Sequence, residues 1–189
     1  DKAATDNKKT NKITNLNDYS DKVSVSERAA KLNSISKEFF SGTISSAQIP
    51  ALTKRLYEDG FLNDSEYQQL GGQTQKVSVI SQAASFVNRL ILDSNTDTET
   101  AKQLQNVASA IANMDLKSTP ELRKIEVDAF EFIASHVEKL KESGAAADEL
   151  KGFTNVLDVL SALDKVRKQE NNTGALTSYA SVQEAYEKL

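Results

Sequence analysis

The sequence predicts an all-α protein whose central part, about residues 75–169, is an antiparallel four-helix up-down bundle, preceded by short helices and followed by one short helix. Three observations lead there. Only 7 Gly and 2 Pro interrupt 189 residues, so little in the chain breaks a helix. Apolar residues recur in steps of three and four along most of the length, while alternating runs bounded by hairpin turns are missing. The connections between the strongest helical stretches are only a few residues long, which favours antiparallel neighbours.

Residues 1–22 are rich in Asp, Asn, Lys and Thr, and only Ile13, Leu16 and Tyr19 offer anchors, so this segment reads as a polar tail. Residues 23–72 read as a unit of short helices punctuated by glycine. The first opens at Ser26 with Ala29, Leu32, Ile35 or Ser36, and Phe39 inward and stops at Gly42. A second, capped by Ser45 or Ser46, runs through Ile49, Leu52 and Leu56 to Asp59, tolerates Pro50 near its first turn, and stops at Gly60. A third is capped by Asn63 or Asp64, turns Tyr67 and Leu70 inward, and ends at Gly71 and Gly72.

Residues 75–189 form the expected bundle with its C-terminal helix. The first long helix starts at Gln75, and Val77, Ile80, Ala84, Val87 and Ile91 line one face, widened by Val79, Ala83, Phe86 and Leu90. Asp97 or Thr98 starts the second, with Ala101, Leu104, Ala108 and Ile111 inward. The run Ser118, Thr119, Pro120, Glu121 combines a capping hydroxyl, a proline and a first-turn carboxylate, and so starts the third, which Gly144 ends. The fourth runs from about Ala147 to Gln169, with Leu150, Phe153, Val156, Leu157, Leu160 and Leu163 inward and a break over 170–174. Residues 177–189, with Tyr179, Val182 and Tyr186 at helical spacing, are too short to be helical without docking. The inward stripes predict one shared core containing Val77, Ile80, Val87, Ile91, Leu122, Ile125, Phe132, Leu157 and Leu160.

Composition removes several function classes. With 23 basic and 27 acidic residues, interspersed, the net charge is −4, and no basic stripe exists of the kind that neutralises phosphates; nucleic acid is not an expected partner. Cysteine is absent, which removes disulfides, thiolate metal sites and thiol nucleophiles together. No run is long enough in apolar residues to span a bilayer, so a soluble chain is expected, cytoplasmic or exported. It opens on Asp1 rather than Met, an expected sign that an upstream piece was removed, by export processing or by choice of boundary.

The motifs that carry chemistry are few. His136, the single histidine, sits on the apolar stripe of the third long helix, and Glu131 and Glu138 are not spaced to share a metal with it. The run Asp93 to Glu99 resembles the calcium loop of the EF-hand family in its alternating oxygens. It departs from that family with Thr98 at the glycine position and Leu104 at the bidentate glutamate, so a capped, solvated connection without calcium is expected. The second and third short helices suggest a helix-turn-helix, but Asp64 and Glu66 stand where basic donors belong. Residues 56–67 are similar to the short helical hairpin appended to many bacterial proteins, and residues 21–29 to a stretch of some flagellar regulatory proteins. Both runs are brief and generic, and assign no family.

No catalytic, metal-binding or cofactor-binding residue is expected, and no cofactor. The expected function is a non-enzymatic helical module working through protein contacts, as scaffold, adaptor, secretion-related factor or regulator, with a protein partner or a second copy. The candidate surface is Phe39, Phe40, Leu56, Tyr57, Phe61 and Leu62, apolar residues of short helices that bury little alone. The alternative is a bundle enzyme or ligand carrier using buried carboxylates or an internal cavity.

Overall fold

The computed structural model describes residues 16–189, with side chains from residue 25 onward. These residues form eight α-helices and no strand. They are α1 (Leu16–Phe39), α2 (Ile49–Glu58), α3 (Asp64–Gln69), α4 (Val79–Leu92), α5 (Thr98–Ala112), α6 (Pro120–Ser143), α7 (Ala147–Thr173) and α8 (Tyr179–Glu187). The expected anchor Ile13 and the side chains of Leu16 and Tyr19 lie outside the described residues.

Helices α4 to α7 pack as a bundle: each lies on the next, α7 also meets α4, and α8 folds back on α7. Local chemistry sets most of the ends. Ser78, Asp97 and Thr119 each accept a hydrogen bond from a first-turn amide of α4, α5 and α6. Pro120 fills the first turn of α6, and Gly144 ends it in the left-handed region. The core between the helices is built from Ile80, Val87, Leu104, Val107, Ile133, Val156, Leu160 and Leu163, with Val182 of α8 added from outside. Of the residues expected to share it, Ile125, Phe132 and Leu157 pack at its edge, half-buried. Val77 and Leu122 do not join it. Helix α4 starts two residues later, at Val79 behind the Ser78 cap, and Val77 packs instead with Tyr57 and Tyr67 in a second, small core.

Three further expectations are corrected. Helix α1 starts at Leu16, well before Ser26, because neither glycine nor proline interrupts residues 16–39. Only Ile35 of its expected face is buried; Ala29 and Leu32 are exposed, and the contact with α4 runs through Lys31, whose Nζ donates to Asn88 Oδ1 at 3.2 Å. Helix α2 turns Thr53 and Tyr57 inward, leaving Ile49 exposed, and Leu70 is exposed at the end of α3. Helix α7 continues four residues past Gln169, to Thr173. There Glu170 exchanges solvent for a buried ion pair one turn from its partner, Arg167.

Arg167 is fully buried and is the hub of that end of the bundle. Its Nε donates to both carboxylate oxygens of Glu126 on α6 at 3.1 Å, and its Nη1 to Glu170 Oε2 at 2.9 Å and to the carbonyl of Leu116 at 2.7 Å. Glu170 also accepts from Thr177 Oγ1 at 2.6 Å and from the Ser118 amide at 3.3 Å. One guanidinium thus joins α6, α7, the α5–α6 connection and the segment leading into α8. Burial alone would push the Glu170 carboxyl up, but the hydrogen bonds from Thr177, Arg167 and Ser118 outweigh it and hold its pKa down at about 2.

A carboxyl that releases its proton more readily folded than unfolded contributes stability that is complete above its unfolded value, here 4.5, and is lost as pH falls through about 2. Urea midpoints followed from neutral pH into this acid range should therefore fall more steeply for the natural chain than for Glu170→Gln. Parallel curves would show that Glu170 is not held ionised by the cluster.

Gly60 brings the N-terminal helices onto the bundle. Its φ is +88°, and a Cβ there would lie 2.6 Å from the Arg89 backbone nitrogen and the Asn88 carbonyl carbon. Beside it Asn88 Nδ2 donates to the Glu58 carbonyl at 2.8 Å. Gly71 has nearly the same φ, +89°, with open space around it. Alanine at either position carries the left-handed penalty of about 1–2 kcal/mol. Only Gly60→Ala must also part α2 from α4, so it should be the more destabilising in urea denaturation by at least about 1 kcal/mol. Equal losses would mean the backbone approach at Gly60 is not closed in solution.

Candidate interaction site

The six residues expected to form an interaction surface differ in exposure. Phe40 is 52% exposed just past the end of α1, with Phe39 half-buried beside it. Leu56 and Phe61 are half-buried, and the Arg28 guanidinium lies 5.6 Å above the Phe61 ring. Leu62 packs against the small core, and Tyr57, 1% exposed, is part of it. The Tyr57 ring stacks on Tyr67 at 4.6 Å and its hydroxyl donates to Asp64 Oδ1 at 2.8 Å. Burial, then that hydrogen bond, raises its pKa. Tyr57 is therefore withdrawn from the surface: with α2 rotated, it is the residue that faces α3 and α4.

The same rotation exposes a feature that the apolar spacing did not signal. Ile49 and Pro50 at the start of α2, Leu70, Gly71 and Gly72 at the end of α3, and Val77 with Lys76 before α4 enclose a slot of about 300 Å³. Its inner wall is the Tyr67 ring, against which the Gly72 backbone lies so closely that a Cβ would collide with it. At its mouth Ile49 is 52% and Leu70 59% exposed. The charged residues around it are Lys54 and Lys76, with no carboxylate among the lining residues. Lys54 has a half-buried i,i+4 partner, Glu58, at 3.6 Å, whereas Lys76 has no ion pair among the described residues. Of these two mouth residues, Leu70 is the one expected inward. The available signal was their place at element ends, next to Pro50 and to Gly71, where a helical stripe loses its facing partner.

A larger open cleft of about 760 Å³ lies between α2 and α8, floored by Ile80, Ala84, Ala108 and Ile111. Its charged rim is engaged internally: Lys54 with Glu58, and Arg55 with Asp59 at 3.0 Å. Tyr179 closes one end, its hydroxyl donating to the Ala112 carbonyl at 2.8 Å.

His136 sits at the core edge, its ring 4.5 Å from Phe153 and 5.8 Å from Phe132. Burial lowers its pKa, against the pull of Glu149. In the connection before α5, Asp93 accepts from the Asn95 amide at 2.9 Å and Asp97 from the Thr100 amide and hydroxyl, each at 2.8 Å. Both side chains thus serve as turn and cap, and the Asp97 pKa is lowered by the Thr100 contacts. The two buried acids, Glu126 and Glu170, are both bound to Arg167. Among the described residues no group of acids and histidine is arranged to hold a metal ion, and no helix is long and apolar enough to cross a membrane. No protein-family model matches the chain, and no curated protein or solved structure is significantly similar to it.

Proposed function

We propose that this chain is a non-enzymatic helical module that acts by contacting another protein, and that the contact is made by the N-terminal unit, residues 23–72. The observation that carries the reading is the apolar surface that unit leaves in solvent. Val25, Leu32, Phe40, Ile49 and Leu70 are five of the ten large exposed apolar residues described, and they fall in the shorter part of the chain. Single exposed apolar residues are ordinary, but neighbouring ones mark interaction surfaces, and Ile49 and Leu70 line one slot. The rigid bundle behind them serves as the support.

The alternative of an enzyme or carrier draws on the cleft between α2 and α8, whose size falls within the range of small-molecule sites. The engagement of its rim charges with one another, and of Glu126 and Glu170 with Arg167, favours the contact reading. A photo-crosslinking residue placed at Phe40 of the full chain, in the cells that naturally produce it, should give a discrete protein adduct. The same residue at Glu138, on the exposed side of α6, should not. Equal labelling at both sites, or none at either, would remove the reading.

A further inference from the structure

We infer that the slot between the start of α2 and the end of α3 is a docking site for a partner segment that presents one large apolar side chain flanked by carboxylates. The inference rests on the contact reading above and specifies its chemistry. The size of the slot, about 300 Å³, is at the small end of ligand pockets, so it takes a single anchor side chain and not a whole helix. Its walls, Ile49, Pro50, Tyr67, Leu70 and Val77, are apolar and aromatic, which fits an aliphatic or aromatic anchor.

The partner's sign follows from the rim. Lys76 flanks the slot with no lining acid and no ion pair among the described residues, while Lys54 beside it is held by Glu58, so a carboxylate beside the anchor gains Lys76 as its partner. A basic segment would be repelled by Lys76, whose charge no lining carboxylate balances. Being exposed, the lysines act chiefly by steering and selecting the partner, while the apolar contact with Ile49 and Leu70 holds it.

The test pans a library of short random peptides, displayed on phage, against the full chain. Enriched peptides should carry Asp or Glu within three residues of a Leu, Ile, Met or Phe. A synthetic copy of one of them should bind Lys76→Glu about tenfold more weakly, with the loss reduced at high salt. Leu70→Asp should abolish binding, and Leu116→Asp, in the α5–α6 connection, should not change it. All three positions are exposed, so the variants are expected to fold as the natural chain does, which circular dichroism checks. Enriched peptides lacking carboxylates, binding indifferent to Lys76→Glu and Leu70→Asp, or no enrichment would each overturn the slot. If those results accompany a specific adduct at Phe40, the slot alone is wrong and the contact reading stands.

Discussion

Replacing Arg167 by methionine is expected to destabilise the protein by about 3–5 kcal/mol, the cost of removing one partner from a buried ion cluster. The side chain is fully buried, and methionine fills much of its volume, so the loss comes from what is left behind. Glu126 and Glu170 would remain in the interior with their cation gone, and the Leu116 carbonyl would lose its 2.7 Å donor. Each must then take up a proton or water, or the helices around it must part. Urea denaturation of Arg167→Met checks the figure. The triple variant Arg167→Met, Glu126→Leu, Glu170→Met should recover a good part of the loss, since it removes the stranded charges as well. A single variant within about 1 kcal/mol of the natural chain would mean that water reaches the cluster.

Leu160→Ala should cost about 2–5 kcal/mol, whereas Ile125→Ala should cost clearly less. Both lie on the inward stripe of a long helix and their sequence patterns are equivalent. The structure separates them: Leu160 is 2% exposed within the main core, while Ile125 is half-buried at its edge. Truncation at Leu160 removes apolar contacts and leaves a cavity that the packed helices cannot fully close. Truncation at Ile125 opens toward solvent, and the space can fill with water or relax. Equal losses in chemical denaturation would show that Ile125 is sealed in solution, and a loss below about 1 kcal/mol at Leu160 would show that the core there is loose.

What the sequence by itself determined is the helical character and most of the element ends in the bundle. Asp97, Thr119 with Pro120, and Gly144 act on amides and carbonyls a few residues away, so their effect is written locally. The inward stripes of α4 and α5 were legible for the same reason, as broad apolar faces that any neighbour would cover. The register of the N-terminal helices is not legible in the sequence, because their inward residues are not the most apolar ones. Lys31, Thr53 and Tyr57 face the protein while Leu32, Ile49 and Leu70 face solvent. That choice belongs to the tertiary structure, since Asn88, the Gly60 backbone approach and the Tyr57–Tyr67 stack decide how α1 to α3 sit on α4. The Arg167 cluster was equally invisible. Its members are separated by up to about fifty positions, a spacing no local pattern encodes, and charged residues on amphipathic helices ordinarily face water. Only the meeting of α6, α7 and the two connections at one end of the bundle turns three ordinary charges into a buried, mutually satisfied set.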